Sequence, residues 1–203
     1  MKASALENIE YGMFVLTAKD NGKDNGCIIN VVAQITDMPK RIAFTVNKNN
    51  FTHDMVNNTG MFNIAILDKN TNLELIKRFG FQSGRTIDKF ENYADAKRSE
   101  NGIYYITETS NAYISGTVFA KQDLGTHTLF LADVVDEKVL SDTESLTYEY
   151  YHKHIKPQKD ENVKHGWICK VCGYVYEGED IPEDFICPWC KHGVADFEKI
   201  EIK

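Results

Sequence analysis

Short apolar runs separated by polar, glycine-bearing stretches organise the first three-quarters of the chain. Met13 to Ala18 is a β-rich run ended by a turn cluster from Lys19 to Gly26. Cys27 to Thr36 follows with Ile28, Ile29, Val31, Val32 and Ile35, so the two runs predict a hairpin. Pro39 marks a turn, and Arg41 to Val46 alternates as a third strand. Thr52 offers an N-cap to a short helix over His53 to Asn58, which Gly60 stops. Met61 to Leu67 predicts a fourth strand. Leu73, Leu75, Ile76 and Phe79 fit a second helix with Gly80 as its C-cap. Phe90 to Ala96 reads as loop or a helical turn. Gly102 to Thr107, Asn111 to Gln122 and Thr126 to Leu140 predict three more strands, the last two joined by Asp123-Leu124-Gly125. About seven strands with two or three short helices point to a β-barrel with helices tucked at its ends.

The pattern changes after Leu146. Leu146 to Ile155 is aromatic and polar, and its Tyr148, Tyr150 and Tyr151 suit dimer or barrel-end packing better than stacking on a ligand. Pro157 to Gly166 has the composition of a linker, and ten flexible residues span ~17 Å on average. The expected division is therefore 1–156, a linker at 157–166, and a small domain at 167–203. That last segment is too short to build a large core, so a metal must supply much of its stability.

Net charge is −7 in 203 residues, which argues against a nucleic-acid footprint. No apolar run approaches the length of a membrane span. The first residues lack the apolar core and cleavage pattern of a secretion signal. Cys27 stands apart from four paired cysteines, which argues for a reducing interior. A cytoplasmic protein is expected.

The four remaining cysteines carry the strongest chemical signal. Cys169-Lys170-Val171-Cys172 and Cys187-Pro188-Trp189-Cys190 are two C-x-x-C pairs with fourteen residues between them. Each pair can place two sulfurs on one metal from a tight turn, and two turns complete a tetrahedral site. Tetrahedral sulfur suits zinc or iron. Gly173, Pro188 and the aromatic residues Trp167, Tyr174, Tyr176, Phe185 and Trp189 favour iron, because a water-excluding shell sets a redox potential. The pattern C-x-x-C-G-Y-x-Y-E…P-x-x-F-x-C-P-x-C resembles rubredoxin, a one-iron electron carrier, in the shortened form found in rubrerythrins. Rubredoxins usually have Gly after the fourth cysteine; here it is Lys191, with Gly193 two further on.

An iron–tetrathiolate centre takes one electron at a time, so something must load it. The upstream domain has no G-x-G-x-x-G and no Walker motif. Its polar residues gather instead in three places. Asn30 and Gln34 lie on or after a strand. Asn47 to His53 joins amides, Lys48 and a helix N-terminus into an anion site. Phe79 to Arg85 supplies glycines, a hydroxyl and a cation.

Gly26 to Asn30 with Gln34, Thr45-Val46-Asn47-Lys48, Thr52-His53 and Asp123 to Phe130 resemble the flavin reductase family. The resemblance covers about residues 5–155. It implies a mainly β, Greek-key, FMN-binding split β-barrel, usually a homodimer with flavin near the subunit interface. Carried over, Cys27, Ile28, Ile29, Asn30 and Gln34 would line the isoalloxazine. Asn47, Lys48 and Thr52, with His53 beside them, would approach the ribityl chain and phosphate. Ser83 and Gly84 would close the far side, and His127 would sit where a nicotinamide docks. Each also has a plainer reading. Cys27 could be a small buried side chain, Lys48 one solvated lysine, and His53 and His127 packed histidines.

Together the two resemblances are similar to the high-molecular-weight rubredoxins of anaerobes. They imply NAD(P)H oxidation through FMN, with single electrons passed to iron bound by Cys169, Cys172, Cys187 and Cys190. The expected final partner is a flavodiiron protein that reduces oxygen or nitric oxide. A reductase of free flavin or small acceptors is the enzymatic alternative, and a flavin-binding sensor with a zinc ribbon the non-enzymatic one. The acidic run from Glu177 to Asp184 is a solvated face that could also steer a basic partner.

Overall fold

The computed structural model describes residues 5–156, 165–190 and 192–201. They form two compact units. One runs to Thr71 and resumes over Ser83–Glu149; the other joins Asn72–Gln82 to the chain from Tyr150 onward.

In the first unit the strands are β1 (Phe14–Asp20), β2 (Lys23–Ile29), β3 (Val32–Thr36), β4 (Arg41–Asn47), β5 (Met61–Leu67), β6 (Ala96–Arg98), β7 (Tyr104–Ile106), β8 (Ser110–Asp123) and β9 (His127–Val139). Seven of them form one antiparallel sheet in the order β2-β1-β5-β8-β9-β4-β3. Its two edge strands, β2 and β3, are separated in sequence only by Asn30 and Val31. The sheet must therefore curl until its ends meet, which makes a barrel split along one seam.

Alternation explains the interior. In β4, Ile42, Phe44 and Val46 point into the core, while Ala43 and Thr45 are only partly covered. Phe44 packs on Phe62 and Phe130, with ring centroids 4.7 and 5.3 Å away. β1 is buried without alternation from Phe14 to Ala18 because both its faces are covered. Leu16 and Ala18 join the barrel core. Thr17 donates to Tyr104 O under the β6–β7 hairpin. Neighbouring Asn63 donates to Ser99 Oγ and Ile103 O.

Several local expectations are corrected. The polar cluster from Lys19 to Gly26 is mostly ladder: only Asn21 and Gly22 turn, both at positive φ, as a two-residue hairpin of this kind requires. Cys27 to Thr36 is two strands. Helix α1 (Phe51–Thr59) has Asn50, not Thr52, at its N-cap, while Gly60 ends it at φ +71 with its N–H on Val56 O. Helix α2 (Leu73–Ile76) is capped by the Asn72 side chain, which accepts from Leu75 N. It then widens into a π-turn over Lys77–Phe81 and stops at Gln82, so Gly80 is not its cap. The Phe90 to Ala96 stretch is turns leading into β6, a strand too short to show as a pattern.

The second unit holds a three-stranded sheet of β11 (Val175–Tyr176), β10 (His165–Cys169) and β12 (Phe197–Glu201), in that order. His165 and Gly166, expected in the linker, open β10; residues 157–164 lie outside the described residues.

Candidate functional site

The four cysteines converge. Cys169 ends β10, and Gly173 N–H closes the first turn on Cys169 O at 2.8 Å, with Gly173 at φ +82. The second turn closes through Cys187 N–H on His192 O, also 2.8 Å, and an Ile186–Gly193 bridge. Lys191, which departs from the rubredoxin pattern, lies outside the described residues. All four sulfurs are buried and lie within 4.8 Å of one another. Cys169–Cys190 and Cys172–Cys187 approach to 3.5 Å. A tetrahedron with metal–sulfur bonds of about 2.3 Å needs sulfurs about 3.8 Å apart, so the residues present fit a metal.

Their proton chemistry agrees. The hydrogen bond with Cys190 pulls Cys172 down to about 5, while that same contact pushes Cys190 up. Burial raises Cys169. Thiols this close cannot all ionise without a cation among them. The expected aromatic shell is in place. Tyr174 meets Trp189 at 5.4 Å, Tyr176 meets Phe185 at 4.7 Å, and Phe185 meets Phe197 at 5.6 Å.

At the barrel's end a second cluster forms from residues far apart in sequence. Thr52, on the first turn of α1, is fully buried and its Oγ1 accepts from Asn25 Nδ2 at 3.0 Å. Cys27 lies beside Thr52 in the core; burial pushes its thiol up, against the Thr52 hydroxyl and Lys89. Gly84 leaves no room for a side chain, since a Cβ there would stand 2.1 Å from Asn25 Oδ1. Arg85 reaches Asp54 at 2.7 Å and covers Phe51. Burial raises Asp54, but its bonds to Arg85 and His53 outweigh this and hold the carboxyl below its usual range.

The other candidates take these positions. Ile29 is in the core, and Ile28 and Asn30 are half-buried where β2 ends. Gln34 is exposed on β3, donates to Thr36 O, and pairs with Ile42, five residues and about 17 Å along β4 from Asn47. Asn47 faces His127 across the β4–β9 ladder. Lys48 places Nζ 2.6 Å from both carboxylate oxygens of Asp123 and its N–H on Thr126 O. That pairing, with the Gly125 N–H, holds Asp123 below the usual carboxylate range. His53 Nε2 lies 2.9 Å from Thr128 Oγ1, and His127 Nδ1 is 2.9 Å from Thr126 Oγ1. Ser83 is exposed, its Oγ accepting from Arg85 N.

Sequence reasoning missed Asn25 and Lys89. Asn25 looked like a turn residue. Lys89 falls between the stretches that were read, yet it is 3 % exposed and donates to Gly26 O at 2.8 Å. Burial lowers its pKa to about 8.

The cluster suits an anionic ligand rich in amide and carbonyl groups. Asn25 Oδ1 is buried with no hydrogen-bond partner among the described residues. Asn50 makes no side-chain capping bond; its carbonyl accepts the His53 N–H at 3.0 Å, which leaves the Phe51 and Thr52 N–H groups of α1 to meet an anion.

Residues 6–159 match the model of the flavin reductase like domain. The chain belongs to the flavin reductase family. Residues 167–198 match the rubrerythrin, rubredoxin-like domain, which decides for iron between the two metals that spacing allowed. The high molecular weight rubredoxin of Moorella thermoacetica is 35% identical over 98% of this chain and all of its own length. A ferric-chelate reductase (NAD(P)H) of Archaeoglobus fulgidus is 39% identical over 75% of this chain and 89% of its own. An NADH:FAD oxidoreductase structure from Streptomyces globisporus shares the fold, with TM-score 0.62 at 18% identity, covering 68% of this chain and 81% of that one. This flavin reductase is an oxidoreductase with a flavin-binding barrel and a rubredoxin-type iron site. No helix among the described residues is long and apolar enough to cross a membrane.

Proposed function

We propose that the chain oxidises NAD(P)H through FMN, passes single electrons to its own rubredoxin-type iron, and delivers them to a downstream flavodiiron-type protein. The observation that carries this reading is a fully buried four-sulfur site in the same chain as a flavin reductase barrel. Flavin accepts a hydride and releases electrons singly, which is the conversion between nicotinamide and one-iron chemistry. The remaining work falls to side chains. The N-terminus of α1 and Lys48 bind the phosphate, and Asp123 holds Lys48 in place for it. Cys27 to Asn30 lie along the ring system, with Gln34 further along the sheet. Ser83 and Gly84 close the opposite side. His127, beside Thr126, orients the nicotinamide. The acidic run from Glu177 to Asp184 draws a basic partner surface. The working form is a cytoplasmic homodimer.

The Archaeoglobus relative supports a second reading, reduction of small acceptors by the barrel itself, because its match spans 89% of its own length while covering 75% of this chain. Anaerobic stopped-flow absorbance with NADH and NADPH separates them. The first reading expects flavin bleaching followed by loss of the iron–thiolate band. An iron band that stays oxidised while flavin turns over would leave only the second. His127→Ala should slow the flavin phase without changing FMN content.

A further inference from the structure

Two pieces of the stretch matched by the flavin reductase like domain fall in the compact unit built around the four cysteines. They are Asn72–Gln82 and residues 150–156. Each brings a lysine to one of the sulfur-binding turns. Lys77 Nζ stands 4.9 Å from the ring centroid of Trp189, the residue before Cys190. Lys156 Cε lies 3.6 Å from where a Cβ would sit on Gly173, the residue after Cys172. From the same piece as Lys77, Phe81 packs into the aromatic shell.

The placement has an electrostatic meaning. The four thiolates outweigh the charge of the iron they hold, and reduction adds one more negative charge. Cations beside such a site favour its reduced form, and net charge is one of the quantities that set these potentials. Lys77 is partly neutralised by Glu74 at 2.8 Å, but Glu74 is 78% exposed and Lys77 only 20%, so water screens the acid more than the base. The rubredoxin-like segment has cations of its own. Lys170 donates to Ala195 O and Lys199 lies over Trp167. Lys77 and Lys156 differ from them because they come from the stretch matched by the flavin reductase like domain, residues 6–159.

We propose that Lys77 and Lys156 form a cationic clamp, lent by the flavin reductase part of the chain, that seats the two sulfur-binding turns and raises the reduction potential of their iron. The iron then accepts its electron from reduced flavin more readily than a free-standing rubredoxin-like domain would. The direction of that electron rests on the function proposed above; the clamp itself does not.

The test uses the full-length, iron-loaded chain with both lysines changed, Lys77→Met and Lys156→Met. The iron–thiolate band is titrated against a chemical mediator, with no nicotinamide present. The equilibrium constant for iron reduction should fall about fivefold or more, with the flavin potential unchanged. The charge-keeping pair, Lys77→Arg and Lys156→Arg, should stay near wild type. An unchanged iron potential in the Met pair overturns the clamp. So does an Arg pair shifted as far as the Met pair, because charge would then not be the cause. If the Met pair fails to hold iron, the single Met variants are judged by the same criterion. A wild-type iron that NAD(P)H never reduces would sink the proposed path and leave this shift measurable.

Discussion

The four-sulfur site and the proposed flavin site of this chain are built in opposite ways. The four-sulfur site comes from two short turns, each closed within a few residues, and the metal that joins them supplies much of the cohesion. The barrel-end site comes from Asn25, Thr52, Gly84 and Lys89, held together by the barrel's own apolar core. A ligand-made site is easy to see in sequence and easy to dismantle. A fold-made site is hard to see and survives the loss of one member. Substitutions that harm one site and spare the other measure how far this contrast holds.

The largest effect should come from Cys169→Ala. Three sulfurs hold iron poorly, and the surrounding unit should lose its amide protection together with its visible band. Flavin content and the rate of flavin reduction by NAD(P)H should stay near normal. A barrel that lost its flavin in this variant would break the contrast.

Phe130→Ala asks the converse. Phe130 is fully buried against Phe44, so its loss should cost the barrel about 3–5 kcal/mol. Denaturant unfolding followed by flavin fluorescence should shift, while the iron–thiolate band persists.

Lys89→Met sharpens the picture through pH. Burial holds the folded pKa near about 8, below the ordinary 10.5. The unfolded chain therefore binds more protons between those values, and wild-type stability gains as pH rises through that window. Below it, charging the buried amine carries a penalty of about 3 kcal/mol, partly offset by the bond to Gly26 O. Lys89→Met should accordingly be the more stable protein at pH 7, with the advantage shrinking toward pH 10.5. Parallel thermal melts of both proteins from pH 7 to 10 check this, and a constant difference would show that the penalty is absent.

Lys48→Ala should be mildest for stability. Its ion pair with Asp123 is largely exposed, so water screens it and it contributes little to stability. FMN retention on dialysis at moderate salt should weaken about tenfold. Full flavin after dialysis would remove Lys48 from the phosphate site.

Much of this was legible in the residues. The cysteine quartet announces itself because each half-site is local, so spacing alone carries the geometry. β4 and β5 showed as strands because their apolar residues cluster within single runs. Asn25 could not be seen, because a Lys-Asp-Asn-Gly string has the composition of a turn, and only pairing with β1 turns it into a strand. Thr52 was sought as a helix cap. Asn50 takes that place, and the Thr52 hydroxyl is left to Asn25. Lys89 carried no local signal, since its burial depends on Gly26, sixty-three residues earlier. The grouping of Asn72–Gln82 with the cysteine unit was equally hidden, because Lys77 and Trp189 are separated by more than half the chain.

The seam between β2 and β3 leaves two sheet edges whose backbone groups could recruit a foreign strand, the first step toward aggregation. The chain blunts both. Gly26 O on β2 is occupied by the buried amine of Lys89. On β3 a register irregularity between Gln34 and Thr36 breaks the ladder, and Thr36 Oγ1 is tied to Pro39 O in the turn that follows. A short, irregular edge beside a charged one offers no long flat template. The barrel can thus keep its opening without becoming a nucleus for fibres, and freeing the β2 edge by Lys89→Ala would be the change most apt to raise the turbidity of a concentrated sample.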